Sequence, residues 1–204
     1  MKIGLIDYGA GNLGSVRNAL AYIGHQVEVQ KDAQNLKLYD KLILPGVGAF
    51  GDVMGIIHAR GFDEAIVEFA RSGKPLLGIC LGMQLLFEKS YEFGEHKGLG
   101  LLSGEIVRFA NAPRIPHIGW NQCFLSERGK THALLKGIKD GEHLYFVHSF
   151  HADLAAGNDE VLAMCEYGER FPAIVGRENI FGIQPHPEKS HAAGLKILKN
   201  FIEM

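Results

Sequence analysis

Cysteine is scarce, with three in 204 residues, at Cys80, Cys123 and Cys165. An odd number at wide spacing builds no disulfide framework, and without a C-x-x-C pair a structural zinc site has no support. Charge of one sign is lacking too. Lys+Arg 21 against Asp+Glu 23 leaves a net −2 with no basic run, which excludes a broad nucleic-acid or anionic-membrane face. Long apolar runs are missing as well. The longest, Pro75 to Phe87, holds two glycines and Gln84 and falls short of the ~18 residues of a membrane span. Asp7 breaks the first apolar stretch too early for the core of a signal peptide. The expectation is a cytoplasmic protein that binds neither nucleic acid nor membrane. Hydrophobic residues at 47% exclude a disordered chain.

What is present is a pattern of short apolar strands and helical stripes. Ile3–Ile6, Val27–Val29, Lys41–Leu44 and Pro75–Ile79 read as strands, the third stopped by Pro45-Gly46. Val16, Ala19, Leu20 and Ile23 recur at helical spacing ahead of Gly24, and Phe62, Ile66 and Phe69 form a second stripe closed by Ser72-Gly73. A helix is expected over Gly82–Phe87. Strands alternating with helices imply crossover units and a mostly parallel sheet. The second half changes character: Glu105–Phe109, His143–Phe150, Val161–Glu166, Ala173–Arg177 and Ile180–Gln184 are strand-like with few helices between them. That suits an antiparallel extension of the sheet, closed by a helix over roughly Ala192–Phe201. One α/β domain spanning residues 1–204 is expected.

Gly9-Ala-Gly-Asn-Leu-Gly14 fits G-x-G-x-x-G after a strand, with Glu28 about where a ribose-binding acid would fall. A nucleotide-binding oxidoreductase is therefore an alternative. Asp7-Tyr8 separate the strand from the first glycine, and little chain remains for a substrate domain. A tight strand-to-helix turn explains these glycines more simply.

The stronger chemical signal is Gly78-Ile-Cys-Leu-Gly82, a G-x-C-x-G at the end of an apolar strand. It is the thiol counterpart of the G-x-S-x-G nucleophile elbow, in which a sharp turn leaves no room for neighbouring side chains. A helix beginning at the elbow would also favour the thiolate of Cys80. Cys123 and Cys165 lack flanking glycines and read as small buried hydrophobes. A nucleophilic thiol needs a base, and the base an orienting group. Among ten histidines, His186 in Gln184-Pro-His-Pro-Glu-Lys-Ser190 follows the last strand directly, where a parallel sheet would set it beside the elbow. Glu188, two residues on in an extended segment, would point the same way and hold the second imidazole nitrogen. Pro45-Gly-Val-Gly-Ala-Phe-Gly51 ends the neighbouring strand and could bring backbone N–H groups to an oxyanion. His148, His151 and His191 complete no ligand set with a carboxylate or cysteine, so no metal is expected.

These segments resemble the class I (triad-type) glutamine amidotransferases through nearly the whole chain. Gly78–Phe87 is similar to the class's nucleophile segment and His186–Ser190 to its His/Glu segment. Asp7–Val16, Pro45–Asp52, Pro116-His-Ile-Gly-Trp-Asn121 and Tyr145–Phe150 resemble, within the class, the glutaminase subunits of imidazole glycerol phosphate synthases. The resemblance implies a glutaminase with no cofactor. Cys80 would attack the carboxamide of glutamine, His186 would shuttle the proton, and Glu188 would orient His186. Gly48 and Leu81 would supply the oxyanion N–H groups, while Gln84, Glu92, Ser149 and Phe150 would hold the amino and carboxylate ends of the substrate. Ammonia would pass to a (β/α)8-barrel cyclase as heterodimer partner in histidine biosynthesis, with Asn12 and Trp120 as docking residues; a buried Trp120 is the competing expectation. Pro185 stands where the class usually has phenylalanine. Two alternatives share the fold: a subunit feeding a sugar-modifying synthase, and a non-catalytic subunit, which would have no need of the thiol.

Overall fold

In the computed structural model, which describes residues 1–9, 11–155 and 158–204, the apolar segments of the first half form four parallel strands. They are β1 (Ile3–Ile6), β2 (Glu28–Gln30), β3 (Lys41–Gly46) and β4 (Leu76–Cys80), separated by helices α1 (Leu13–Tyr22), α2 (Phe50–Ala59) and α3 (Phe62–Arg71). A single turn, α4 (Leu81–Gln84), follows β4. The second half supplies β5 (Lys89–Ser90), β6 (His96–Lys97), β7 (Glu105–Arg108), β8 (His117–Leu125), α5 (Glu127–Thr131), β9 (Glu142–His148) and β10 (Phe150–Asp153). The chain ends with β11 (Val161–Glu166), β12 (Arg170–Arg177), β13 (Ile180–Ile183) and α6 (His191–Glu203).

Nine strands make one mixed sheet in the order β2-β1-β3-β4-β13-β12-β11-β8-β9. It is parallel from β2 to β13 and antiparallel from β13 to β9. The expected antiparallel extension is therefore present. Successive side chains of a strand face opposite ways, so each parallel strand feeds two cores. Leu5, Ile43 and Leu77 pack with Leu20, Leu198 and Phe201 on one side. Ile6, Leu42, Leu44 and Leu76 pack with Ile57, Ile66 and Phe69 on the other. Each such side chain, fully buried, contributes about 1.5–3 kcal/mol.

Several boundaries differ from the sequence reading. Pro45-Gly46 does not stop β3, which pairs with β4 through Gly46. Helix α2 follows after residues 47–49. Strand β8 and a second sheet, β10-β7-β5-β6, were not expected. The helix expected over Gly82–Phe87 shrinks to the turn α4, because the chain must bend away to build β5. The last helix runs past its expected end, and buried Lys41 donates to the Phe201 and Met204 carbonyls at 2.9 and 2.6 Å, satisfying acceptors that a helix end leaves open.

Candidate active site

Three neighbouring parallel strands, β3, β4 and β13, end at one edge, and Cys80 is the last residue of the middle one. Its backbone lies at φ 54°, ψ −115°. A non-glycine residue held there costs on the order of 1–3 kcal/mol, a strain typical of functional turns. The flanking glycines make the turn possible. A Cβ on Gly82 would collide with the Leu44 carbonyl oxygen, and one on Gly78 would come within 2.5 Å of the Gly82 carbonyl. Because α4 has only four residues, the expected helix-end field on Cys80 reduces to one turn of N–H groups.

Strand β13 pairs with β4 so that Ile183 lies opposite Ile79, and the chain then carries His186 to the elbow. His186 Nδ1 is 2.9 Å from Glu188 Oε1, with both side chains buried. The segment is not extended, as the spacing suggested. Pro187 opens a 3-10 turn over Pro187–Lys189, for which its fixed φ is well suited. Ser190 Oγ donates to the His186 carbonyl at 2.6 Å and fastens the turn. Burial works against a charged imidazole, but the neighbouring Cys80 and the hydrogen-bonded Glu188 outweigh it and raise the histidine pKa to about 10. A protonated imidazole is the state this arrangement favours.

The elbow opens into a cleft of about 330 Å³ lined by Asn12, Gly48, Leu81, Gln84, Glu92, Ser149, Phe150 and His186 beside Cys80. Glu188 stands behind His186. Gln84 is buried, and its amide nitrogen donates to the Phe150 carbonyl and to Gln184 Oε1, both at 2.9 Å. Both its N–H donors are thus used, leaving the oxygen as its free polar atom. One oxygen of Glu92 accepts from the Phe50 N–H at 2.7 Å, so this carboxylate also caps α2, whose own cap residue Ala49 offers no side-chain acceptor. Gly48 sits at φ +111° between β3 and α2. Trp120 lies outside the cleft, 44% exposed, stacked on His191 at 4.8 Å and edge-on to Tyr145. Exposure of this size overturns the competing expectation of a core tryptophan. Pro116, Val147 and Lys189 also line the cleft and had not been singled out as site residues, while Val47 belongs to the expected oxyanion segment and His148 had been weighed and set aside as a metal ligand. Their types are ordinary for strand ends, and only the topology brings them to this edge.

His148 belongs to a buried histidine pair. Its Nδ1 lies 2.8 Å from the Phe150 carbonyl and its Nε2 3.0 Å from His117 Nδ1, while His117 stacks between Phe146 and Tyr167. Since the carbonyl only accepts, His148 donates to it from Nδ1; with both rings neutral, as their burial favours, His117 Nδ1 then donates to His148 Nε2. Burial lowers His117 to about 4 and, chiefly through burial, His148 to about 3. Below pH 6.5 the unfolded chain takes up protons that the folded one refuses, at about 1.4 kcal/mol per pH unit for each histidine. His186, with its raised pKa, contributes fully below 6.5 and loses its share only as pH climbs toward 10. Stability is therefore expected to fall by roughly 2–4 kcal/mol between pH 7 and pH 5. Urea unfolding at the two pH values checks this, and an unchanged midpoint would contradict it.

Among the described residues no group of three His, Cys, Asp or Glu side chains is arranged to hold a metal ion. Among the described residues, the glycine turn before α1 does not assemble a nucleotide site. Asn12 caps α1 at Ser15 N, and Glu28 accepts from the Tyr39 hydroxyl at 3.0 Å instead of facing the turn. Ala10 of that turn lies outside the described residues.

The profile of the glutamine amidotransferase class-I family matches residues 4–204. The chain is 53% identical to the imidazole glycerol phosphate synthase subunit HisH of Wolinella succinogenes, over 99% of both chains. It is 51% identical to that of Helicobacter hepaticus, over 100% of this chain and 99% of the other. Among solved structures, one described as a glutamine amidotransferase superposes with a TM-score of 0.77 at 20% identity, covering 100% of this chain and 98% of that one. PurLQS from Thermotoga maritima gives 0.75 at 23%, covering 99% and 97%. Identity above one half over essentially the full length of both relatives, on a fold shared with such structures, makes the chain a class I glutamine amidotransferase of the imidazole glycerol phosphate synthase HisH family.

Proposed function

We propose that the cleft carries out the family's glutaminase reaction with Cys80 as nucleophile. The single observation behind this reading is that Cys80 sits on a strained elbow against His186, whose other nitrogen is held by Glu188 at 2.9 Å. The thiolate attacks the side-chain carbonyl of glutamine. Backbone N–H groups of Gly48 and Leu81 take the charge that develops on oxygen, each such donor contributing roughly 2.7–4 kcal/mol in comparable enzymes. His186 gives its proton to the departing ammonia, leaving a γ-glutamyl thioester on Sγ. His186 then takes a proton from water as it attacks, and glutamate and the thiolate are released. Gln84 accepts from the α-ammonium through its free oxygen, and the Glu92 carboxylate supplies the opposite charge. Ser149, with its hydroxyl, and the Phe150 backbone lie at the same end for the α-carboxylate.

The ammonia passes to a (β/α)8-barrel cyclase subunit that makes imidazole glycerol phosphate and aminoimidazole carboxamide ribotide. Supporting a docking face here, Ile118, Trp120 and Phe124 stand exposed on alternate positions of β8, and Asn12 and Val47 are exposed at the cleft mouth. An apolar face with a central aromatic suits a protein partner. No helix among the described residues is long and apolar enough to cross a membrane, and all three cysteines are unpaired; both fit a cytoplasmic subunit.

The proposed roles of base and orienting group make a graded prediction. His186→Ala removes the proton shuttle, whereas Glu188→Gln keeps a hydrogen-bonding side chain of the same shape and removes only its charge. The alanine variant should lose at least about tenfold more kcat than the glutamine variant. Steady-state glutamine hydrolysis by equally folded proteins in the presence of the cyclase subunit decides it. The reverse order would move the base to another histidine.

A further inference from the structure

Gln184 is fully buried and was noted in the sequence only as a flank of the histidine segment. It is the first residue after β13, the parallel neighbour of β4, and this register brings it level with the elbow. Its backbone N–H is already used, donating to the Ala173 carbonyl at 2.8 Å. The side chain therefore has a separate task.

The direction of its hydrogen bonds is fixed from one end. The Phe150 carbonyl can only accept, so the Gln84 atom facing it is the amide nitrogen. The second N–H of that nitrogen points to Gln184, which must answer with its oxygen, at 2.9 Å. The Gln184 amide nitrogen is then turned to Cys80, where it lies 3.8 Å from Sγ. A backbone carbonyl, two carboxamides and the sulfur form one oriented chain. The neutral thiol has an acceptor of its own in the Val147 carbonyl, also at 3.8 Å. Once the proton leaves, that carbonyl offers the sulfur nothing, and the Gln184 N–H is a donor that strengthens with the charge.

Resting on the assignment of Cys80 as nucleophile, we infer that Gln184 belongs to the catalytic machinery. Its carboxamide donates to the Cys80 thiolate and fixes the sulfur's direction, while its oxygen locks Gln84 with its free acceptor toward the substrate. One side chain thereby couples the placement of the nucleophile to that of the substrate's amino end.

The test is Gln184→Met, which keeps the length and removes both hydrogen bonds. The first readout is carboxamidomethylation of Cys80 by iodoacetamide, followed by peptide mapping so that Cys123 and Cys165 are counted separately. This reaction needs no glutamine pocket. Its rate should fall about tenfold, the value of one lost hydrogen bond to a charged group. Glutamine hydrolysis with the cyclase subunit present should lose about ten- to a hundredfold in kcat, with a smaller rise in KM. Gln184→Glu, which keeps the acceptor for Gln84 and lacks the N–H donor, is expected to lower alkylation by a similar factor and guards against a methionine variant that fails to fold. Native alkylation rates in a folded variant would overturn the role of Gln184. Cys80→Ala, measured alongside, separates the two ideas: if it retains glutaminase turnover, the nucleophile assignment itself is wrong.

Discussion

Cys80→Ala is expected to abolish glutamine hydrolysis, a loss on the order of 10⁴-fold or more, as when a nucleophile is removed from comparable triads. Ammonia-dependent synthesis by the assembled complex should be untouched, because in the proposed reaction the thiol serves only to release ammonia from glutamine. The substitution is gentle on the fold. Cys80 is 7% exposed, and its thiol contacts are the long Val147 and Gln184 hydrogen bonds and the pairing with His186. Alanine is also somewhat easier to hold than a larger side chain at a strained turn. The control is instructive because Cys123 and Cys165 face each other across β8 and β11, both buried. The neighbouring Cys165 thiol and, after it, burial hold the Cys123 thiol well above the usual range, which keeps it protonated and inert. Cys123→Ala and Cys165→Ala should change stability alone. A Cys80→Ala complex that still turns over glutamine would remove the covalent intermediate from the scheme.

The elbow was legible because its constraint is local. Gly78 and Gly82 are where a Cβ would strike the Gly82 and Leu44 carbonyls, and such contacts leave a mark on sequence. The same holds for β1, β3 and β4, whose runs are buried on both faces, and for α1 and α3 with their regular stripes. Strand β8 was less visible. It is half-exposed, with Gly119 at φ +134° and polar positions between its hydrophobes, so neither run nor strict alternation stands out. Helix α2 was hidden for another reason. Its first turn is capped by Glu92, forty-two residues away, instead of by a residue before it. Gln184 was missed on similar grounds: its partners Gln84 and Cys80 come to it only through the pairing of β13 with β4. His186 and Glu188 were read from their spacing, though the geometry that joins them is a 3-10 turn and not an extended segment.

The isolated chain is expected to hydrolyse glutamine slowly and to be switched on by its cyclase partner, roughly 10²–10³-fold. Free hydrolysis would waste ammonia, so coupling to an acceptor has an evident use. The physical candidate is the short connection after β3. Strand β3 is fixed by pairing with β4 through Gly46, and α2 is fixed at its start by Glu92, leaving residues 47–49 between two anchored ends. Within that stretch Gly48 lies at φ +111°, where only glycine rests easily, and the nearest atom to an added Cβ is 3.7 Å away. Space and backbone freedom together let the Val47–Gly48 peptide rotate, aiming the Gly48 N–H into or away from the oxyanion position. Val47 is 42% exposed at the cleft mouth, where a partner docked over Asn12 and Trp120 could press on it. One oxyanion donor gained or lost is worth that same 10²–10³ in rate, so a single peptide rotation is enough for the switch. Steady-state turnover of the chain alone, then with the cyclase subunit and its nucleotide ligand, measures it. Gly48→Ala, which disfavours the positive φ, should lower partner-stimulated turnover while leaving Cys80 alkylation intact. Equal turnover with and without the partner would sink the switch and leave the roles of Cys80, His186 and Glu188 standing, since they depend on contacts made within this chain.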